Sequence, residues 1–333
     1  RLRQGRYDDA LTQLVASVRS APEHIDTHTH LGVAFAALGR MSEAEESLRA
    51  ALLLEPNNES ALMKLSRLQS LQGHEEEAHQ TRNRIIELNP RWRTLQDAMR
   101  LQADGSHDEA RKRVKNLLRE DPDDVNALHY MGDICMSQGA HNDAEAFLRK
   151  AVKLAPDFAA AWNSLSISLK EQGKFAAAAE ALEKGLQLEP RNADWHSSLG
   201  NYLLAWGKED EALAAFERAL EIVPNHAGAL HSKGHVLKTL GNQDEAIRAY
   251  RAAAKGRPEL GEIYWSLANL KTFRFDAEEV EFMQSQIESG DLTTESTLNF
   301  CYAMGKYCED QDDYPKAFEY YSRGAALKRE IVS

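Results

Sequence analysis

The chain has 333 residues, of which 43% are hydrophobic and 28% charged, a composition of folded domains rather than of a disordered tail. Forty Lys and Arg against fifty-two Asp and Glu give a net charge of −12, a field that opposes general nucleic-acid binding and anionic membrane surfaces. No apolar run approaches the ~20 residues that span a bilayer. Three cysteines (Cys135, Cys301, Cys308), none in a CxxC pair, build no disulfide framework, which predicts a reducing, cytoplasmic setting.

Taken along the chain, the prolines reveal a period. Eight of the nine fall at Pro22, Pro56, Pro90, Pro122, Pro156, Pro190, Pro224 and Pro258, with gaps of 34 residues except for one of 32. Twelve residues before each stands an alanine (Ala10, Ala44, Ala78, Ala110, Ala144, Ala178, Ala212, Ala246). Seventeen before each stands a glycine (Gly5, Gly39, Gly73, Gly105, Gly139, Gly173, Gly207, Gly241). Three residue types held in register eight times predict an all-α repeat fold, an alpha-alpha superhelix of antiparallel helix pairs. In each unit a first helix, such as the one beginning near Ala161 with Trp162, Leu165 and Leu169 at helical spacing, runs to the glycine. The glycine supplies a left-handed C-cap, the alanine lets the second helix approach closely, and the proline ends the unit.

The expected organisation is a second half-repeat at 1–24, then seven units at 25–58, 59–92, 93–124, 125–158, 159–192, 193–226 and 227–260. The unit 93–124 is two residues short, with the loss in the connection after Pro90 rather than in a helix. Residues 261–297 form a degenerate unit: a normal first helix (Ile263, Tyr264, Leu267), then a helix capped by Asp276 and stopped by Gly290, then a cap at Thr293 or Thr294. Residues 298–333 form a divergent last unit, with Gly305, Ala317, Pro315 opening the final helix and Asp312 in place of the turn glycine.

The 34-residue unit resembles the tetratricopeptide repeat over residues 1–260. A narrower resemblance is carried by Leu267, Ala268, Asn269, Leu270, Lys271, Arg274 and Phe275, then by Phe300, Ala303, Gly305, Lys306, Asp313, Tyr314, Ala317, Phe318, Tyr321, Gly324, Ala325 and Lys328. This stretch is similar to the junction between repeats and catalytic domain in bacterial tetratricopeptide-repeat sulfotransferases. It implies that these residues are the non-catalytic, partner-recruiting region of such a protein, cut at both ends. It also implies a following domain that uses 3′-phosphoadenylyl sulfate.

Within the chain itself no catalysis and no cofactor site is expected. GxxxxGK[ST] and GxSxG are absent, and the glycines are accounted for by repeat turns. Cys135 shares the packing register of Phe35 and Leu169, so a buried structural thiol is expected there. His231 and His235 have metal-ligand spacing but no third ligand nearby in sequence, so no metal is expected.

First helices of such a stack line the inner face. The positions left over after packing residues are assigned include Asn126, His129, Tyr130 and Asp133, then Asn163, Ser164 and Lys170. They continue with Ser198 and Asn201, then His231, His235 and Lys238, and finally Trp265, Ser266 and Asn269. Hydrogen-bonding side chains of this kind suit a protein partner held as an extended peptide, whose amides need paired donors and acceptors. The slot eight residues after each of these prolines except Pro90 reads His30, Lys64, Tyr130, Ser164, Ser198, Ser232, Ser266, so neither an asparagine ladder nor a carboxylate clamp is expected. Two alternatives stand beside the recruiting region: a free-standing adaptor, and an oligomerisation module in which Leu11, Leu14, Val15 and Val18 leave an apolar face open for self-association.

Overall fold

The structure, a computed structural model, describes residues 7–270 and 272–332; Gly5 and Lys271 lie outside the described residues. These form nineteen α-helices and, among the described residues, no strand. After α1 (Tyr7–Ser20) come seven helical hairpins: α2 (Ile25–Ala37) with α3 (Met41–Leu54), α4 (Glu59–Leu71) with α5 (Glu75–Leu88), α6 (Pro90–Ala103) with α7 (His107–Glu120), α8 (Val125–Ser137) with α9 (His141–Leu154), α10 (Ala159–Glu171) with α11 (Phe175–Leu188), α12 (Ala193–Ala205) with α13 (Glu209–Ile222), and α14 (Ala227–Thr239) with α15 (Gln243–Gly256). The C-terminal part holds α16 (Gly261–Ala268), α17 (Ala277–Ser289), α18 (Thr294–Asp310) and α19 (Tyr314–Val332). The chain forms two compact units, Arg1–Trp195 and His196–Ser333, and the division falls inside α12.

Each hairpin reverses at its glycine. The seven turn glycines from Gly39 to Gly241 have φ between +70° and +84°, a region that disfavours any Cβ. At Gly173 the reversal is sealed by the Lys174 N–H donating to Leu169 O at 2.9 Å, which satisfies a carbonyl that the helix end leaves orphaned. In the last hairpin Asp312 takes the same role at φ 60°, and Asp313 N–H donates to Cys308 O at 2.9 Å in the same manner. No other described non-glycine residue has positive φ.

The close approach inside a hairpin has two parts. The alanines Ala44, Ala78, Ala110, Ala144, Ala178, Ala212 and Ala246 are completely buried. Two turns into α2, α8, α12 and α14 a glycine receives a large side chain from the second helix. A Cβ on Gly32, Gly132, Gly200 or Gly234 would stand 2.5–2.7 Å from Leu48, Leu148, Phe216 or Tyr250 respectively.

The short unit explains itself at one residue. In the regular pattern four residues, 55–58, separate α3 from α4, whereas α5 and α6 are separated by Asn89 alone. Asn89 N–H donates to Ile85 O at 3.0 Å to close α5, and its side-chain oxygen accepts from Arg91 N–H at 3.1 Å to open α6. Pro90 then sits in the first turn of α6, where its missing N–H is not needed.

Toward the C-terminus the pattern changes. α16 is only eight residues long, and residues 269–276 lead to α17 through a non-helical segment. Asp276 caps α17 in a capping box with Glu279, and Gly290 ends it at φ 72°. Met283 and Ile287 of α17 join Tyr264, Phe273 and Phe300 in one buried cluster, and α18 packs directly on α16. At the other end, Leu11, Leu14, Val15 and Val18 turn onto the cluster of Leu31, Phe35, Leu48 and Leu65, so they are half-buried rather than an open face.

Gly200→Ala places a methyl against the Phe216 ring. The substitution should lose about 1–3 kcal/mol by overpacking, more than the ~1 kcal/mol that helix propensity returns. Urea unfolding reads the difference, and a stabilised variant would refute the close approach.

Candidate functional site

First helices touch one another along the stack (α2 with α4, α6 with α8, α8 with α10), which leaves second helices on the outside. On this inner face of the first unit, His129 is buried and its Nε2 lies 2.9 Å from Ser164 Oγ of the next hairpin. Phe158 presents its edge at 5.0 Å between ring centroids. Burial lowers the His129 pKa against the pull of Asp133, raises that of Asp133 against the pull of His129 and a bond from Ser164, and raises that of Tyr130.

A histidine, a serine and an aspartate together invite comparison with a catalytic triad. The geometry excludes it, because Asp133 Oδ2 lies 3.5 Å from the same Nε2 that meets Ser164, whereas a triad sets serine and carboxylate on opposite ring nitrogens. The three cysteines are buried, and burial raises the pKa of each, which disfavours the thiolate that nucleophilic attack requires.

The first unit also carries contacts between residues far apart in the chain. Arg67 of α4 pairs with Glu189 at the end of α11, the guanidinium of Arg191 lies against Gly39, and Lys64 of α4 feels the carboxylate of Asp157 before α10. Burial lowers the Lys64 pKa and raises that of Glu189, in each case against the opposite charge. The inner side of α4 is thus bridged to the turns that precede α10 and α12. On α8 and α10 Asn126 and Asn163 are half-buried, while exposed Lys170 pairs with its neighbour Glu171.

In the second unit the histidine–serine contact recurs. His231 Nε2 lies 3.0 Å from Ser266 Oγ, again 35 residues apart, and the Ser266 hydroxyl donates to Glu262 O at 2.9 Å. That hydroxyl therefore accepts from His231, which assigns the His231 proton to Nε2. His235 stacks edge-on against His231 at 4.5 Å, and its Nδ1 lies 3.1 Å from the Tyr250 hydroxyl. Burial lowers His231 and His235 to about 4 and raises Tyr250 to about 12. With one nitrogen of each ring engaged, the pair is a packing motif; among the described residues no group of three or more His, Cys, Asp or Glu is placed to hold a metal.

The remaining inner residues of this unit are more open. Asn201 is exposed, and Lys238 has no carboxylate partner among the described residues. Trp265 lies 5.4 Å from Tyr302, and Asn269 donates Nδ2 to Trp265 O at 2.9 Å, which leaves its amide oxygen to accept. The sequence put these side chains on first helices, where all stand except Asn269, which follows the last residue of α16. It did not show that His129 and His231 are spent on the serines beside them, although histidine seven and serine eight residues after successive prolines is a readable signal. Arg67, Asp157, Glu189 and Arg191 carried no such signal.

A stack of helical hairpins with small residues at the crossing and glycine at the reversal defines a helical repeat solenoid. Family models described as tetratricopeptide repeat match residues 1–61 and 163–227, 101–166, and 227–260. Together they cover more than half of the chain, which belongs to the tetratricopeptide-repeat family. Solved structures similar to it include one described as MamA, at 28% identity and a TM-score of 0.47, covering 49% of this chain and 95% of that one. Another is MamA from Desulfovibrio magneticus RS-1, at 19% identity and a TM-score of 0.47, covering 50% and 93%. A third is the APC/C hetero-tetramer Cut9–Hcn1, at 19% identity and a TM-score of 0.44, covering 71% of this chain and 47% of that one. No curated protein matches the chain. Among the described residues no helix is long and apolar enough to cross a membrane.

Two outcomes test this geometry. A histidine whose folded pKa lies below its unfolded value binds fewer protons folded than unfolded, so stability falls as pH drops from about 6.5 toward 4. For His231 the loss should be about 2–3 kcal/mol, and His231→Gln should make the urea midpoint depend less steeply on pH across that window, leaving the share that His235 contributes; an unchanged slope would refute the burial. For the bridge, Arg67→Glu should widen the distance between spin labels at His74 and Lys184, and adding Glu189→Arg should narrow it again. Identical distances in all three proteins would show that the pair holds nothing together.

Proposed function

We propose that the chain is a protein-interaction scaffold that takes an extended peptide along the inner face of α12, α14 and α16 in the second unit. The observation that carries this is the state of the side chains there. Asn201, Lys238 and Asn269 offer hydrogen-bonding groups that their own neighbours leave unused, while the corresponding face of the first unit is occupied by its own ion pairs. An asparagine amide pairs with both the N–H and the C=O of a peptide bond. The Lys238 ammonium attracts a carboxylate of the ligand, and Trp265 with Tyr302 offers aromatic surface to an apolar side chain. His231, bonded to Ser266, holds α14 and α16 in register beneath the ligand.

The resemblance in residues 267–328 supports a finer reading, in which this scaffold recruits substrates for a sulfotransferase of bacterial type. In that reading the sulfate donor belongs to a catalytic domain outside these residues. Much of the resembling stretch builds the fold: Leu267, Leu270, Phe300, Ala303 and Ala317 are buried, and Arg274 and Lys306 both pair with Asp310. Reading the codons after Ser333 tests it, and a stop codon there would count against an attached enzyme.

Peptide-array selection followed by titration tests the binding face itself. The double variant Asn201→Ala, Lys238→Glu should weaken the selected peptide by about tenfold or more, as expected for loss of a hydrogen bond and reversal of a charge. Arg67→Glu in the first unit should leave that affinity unchanged. Equal affinity of the double variant would refute the inner-face site.

A further inference from the structure

The outer wall carries one feature that the inner-face reading does not use. α7 bears Arg111, Lys112, Lys115 and Arg119 in a chain whose net charge is −12. Residues 111, 115 and 119 follow one another at intervals of four, and 112 lies beside them, so the four cations form a stripe about 12 Å long. Ala110, Val114 and Leu117 are buried on the opposite side of the helix, which points the stripe away from the core. Asp108, Asn116 and the four cations line a shallow groove along it.

The stripe is not neutralised as its neighbours are. In α9, Arg149 meets Glu145 at 2.7 Å and Lys150 meets Asp123 at 2.9 Å. On α7, Arg111 reaches Asp143 and Lys112 reaches Glu109 only at 3.9 Å, Arg119 bonds the neutral Asn116, and Lys115 has no ion pair among the described residues. Like charges three and four residues apart oppose the helix that carries them. The repeat architecture does not require this arrangement: counted from the buried alanine of each helix, the equivalent positions of α13 hold Leu213, Ala214, Glu217 and Glu221.

We propose that the outer face of α7 is a docking surface for an acidic segment of a partner protein, with Arg111, Lys112, Lys115 and Arg119 receiving its carboxylates. Charge complementarity argues for a short segment over a nucleic acid or a lipid surface. An extended polyanion would approach the whole acidic molecule, whereas a segment some three helical turns long meets the stripe alone. A helix with glutamates at intervals of four matches the 111–115–119 spacing. The site is independent of the inner face, since α7 is a second helix.

Fluorescence anisotropy with a labelled helical peptide carrying three glutamates at intervals of four, against the same peptide with glutamines, tests the assignment on the full chain. The expected result is binding of the glutamate peptide that weakens with added salt and falls by about tenfold in Lys112→Glu, Lys115→Glu. The milder Lys112→Gln, Lys115→Gln should lose part of it while circular dichroism stays unchanged, and Lys238→Glu should have no effect. Equal affinity for both peptides, undiminished binding by the α7 variants, or tighter binding to phosphatidylserine vesicles or to single-stranded oligonucleotide would each overturn it. So would sedimentation showing that a second copy of the chain already covers α7.

Discussion

The distance of closest approach between paired helices sets everything else in this molecule. An alanine in each second helix, buried without remainder from Ala44 to Ala246, brings two axes close enough for a ring or a branched side chain to fill the hollow of the facing helix. At Gly200 and Gly234 the filling side chain is Phe216 or Tyr250; at Gly32 and Gly132 it is Leu48 or Leu148. The hairpin is therefore a matched pair rather than two amphipathic helices that happen to meet. Because one hairpin still leaves apolar residues on both flanks, only its neighbours complete the burial, and the stack follows.

Stacking dictates the chemistry of the inner face. First helices of adjacent hairpins run side by side, so a side chain seven residues after one proline reaches the side chain eight after the next. His129 with Ser164 and His231 with Ser266 are the same contact made twice. A neutral imidazole bonded to a hydroxyl suits a partly dry seam, and in each case burial, not a catalytic partner, is the largest influence on the ring. Some of the polarity that suggests a ligand site from the sequence is thus the mortar between repeats.

The local rules were legible because each repeats. Proline, alanine and glycine at fixed offsets define helix ends, crossings and reversals, and even the substitution of Asp312 for the turn glycine can be read from its position. The missing pair of residues near Pro90 was visible as a change of period. Its consequence, a connection reduced to Asn89 serving both helices, follows from the caps that asparagine makes. The bridge from Arg67 to Glu189 was not legible. It depends on how many degrees each hairpin turns relative to the last, a quantity summed over several repeats to which no single residue points. The same holds for Lys64 and Asp157, whose electrostatic coupling exists only because that sum brings them together.

The end of the stack shows how far the pattern bends before it breaks. α16 stops after eight residues, and the chain crosses to α17 without the usual glycine reversal. The crossing is held by charge rather than by a turn: Arg251 of α15 meets Glu279 at 2.9 Å and covers Phe273, while Arg274 reaches Asp310 of α18, which also binds Lys306 at 2.5 Å. Packing replaces the lost helical turn through Phe273, Met283, Ile287 and Phe300. α18 then lies on α16 as a first helix should, with Gly261 so close that a Cβ would meet the Ser296 carbonyl at 2.2 Å. Part of the motif that sets residues 267–328 apart is thus the set of contacts that lets the solenoid resume after an interrupted hairpin.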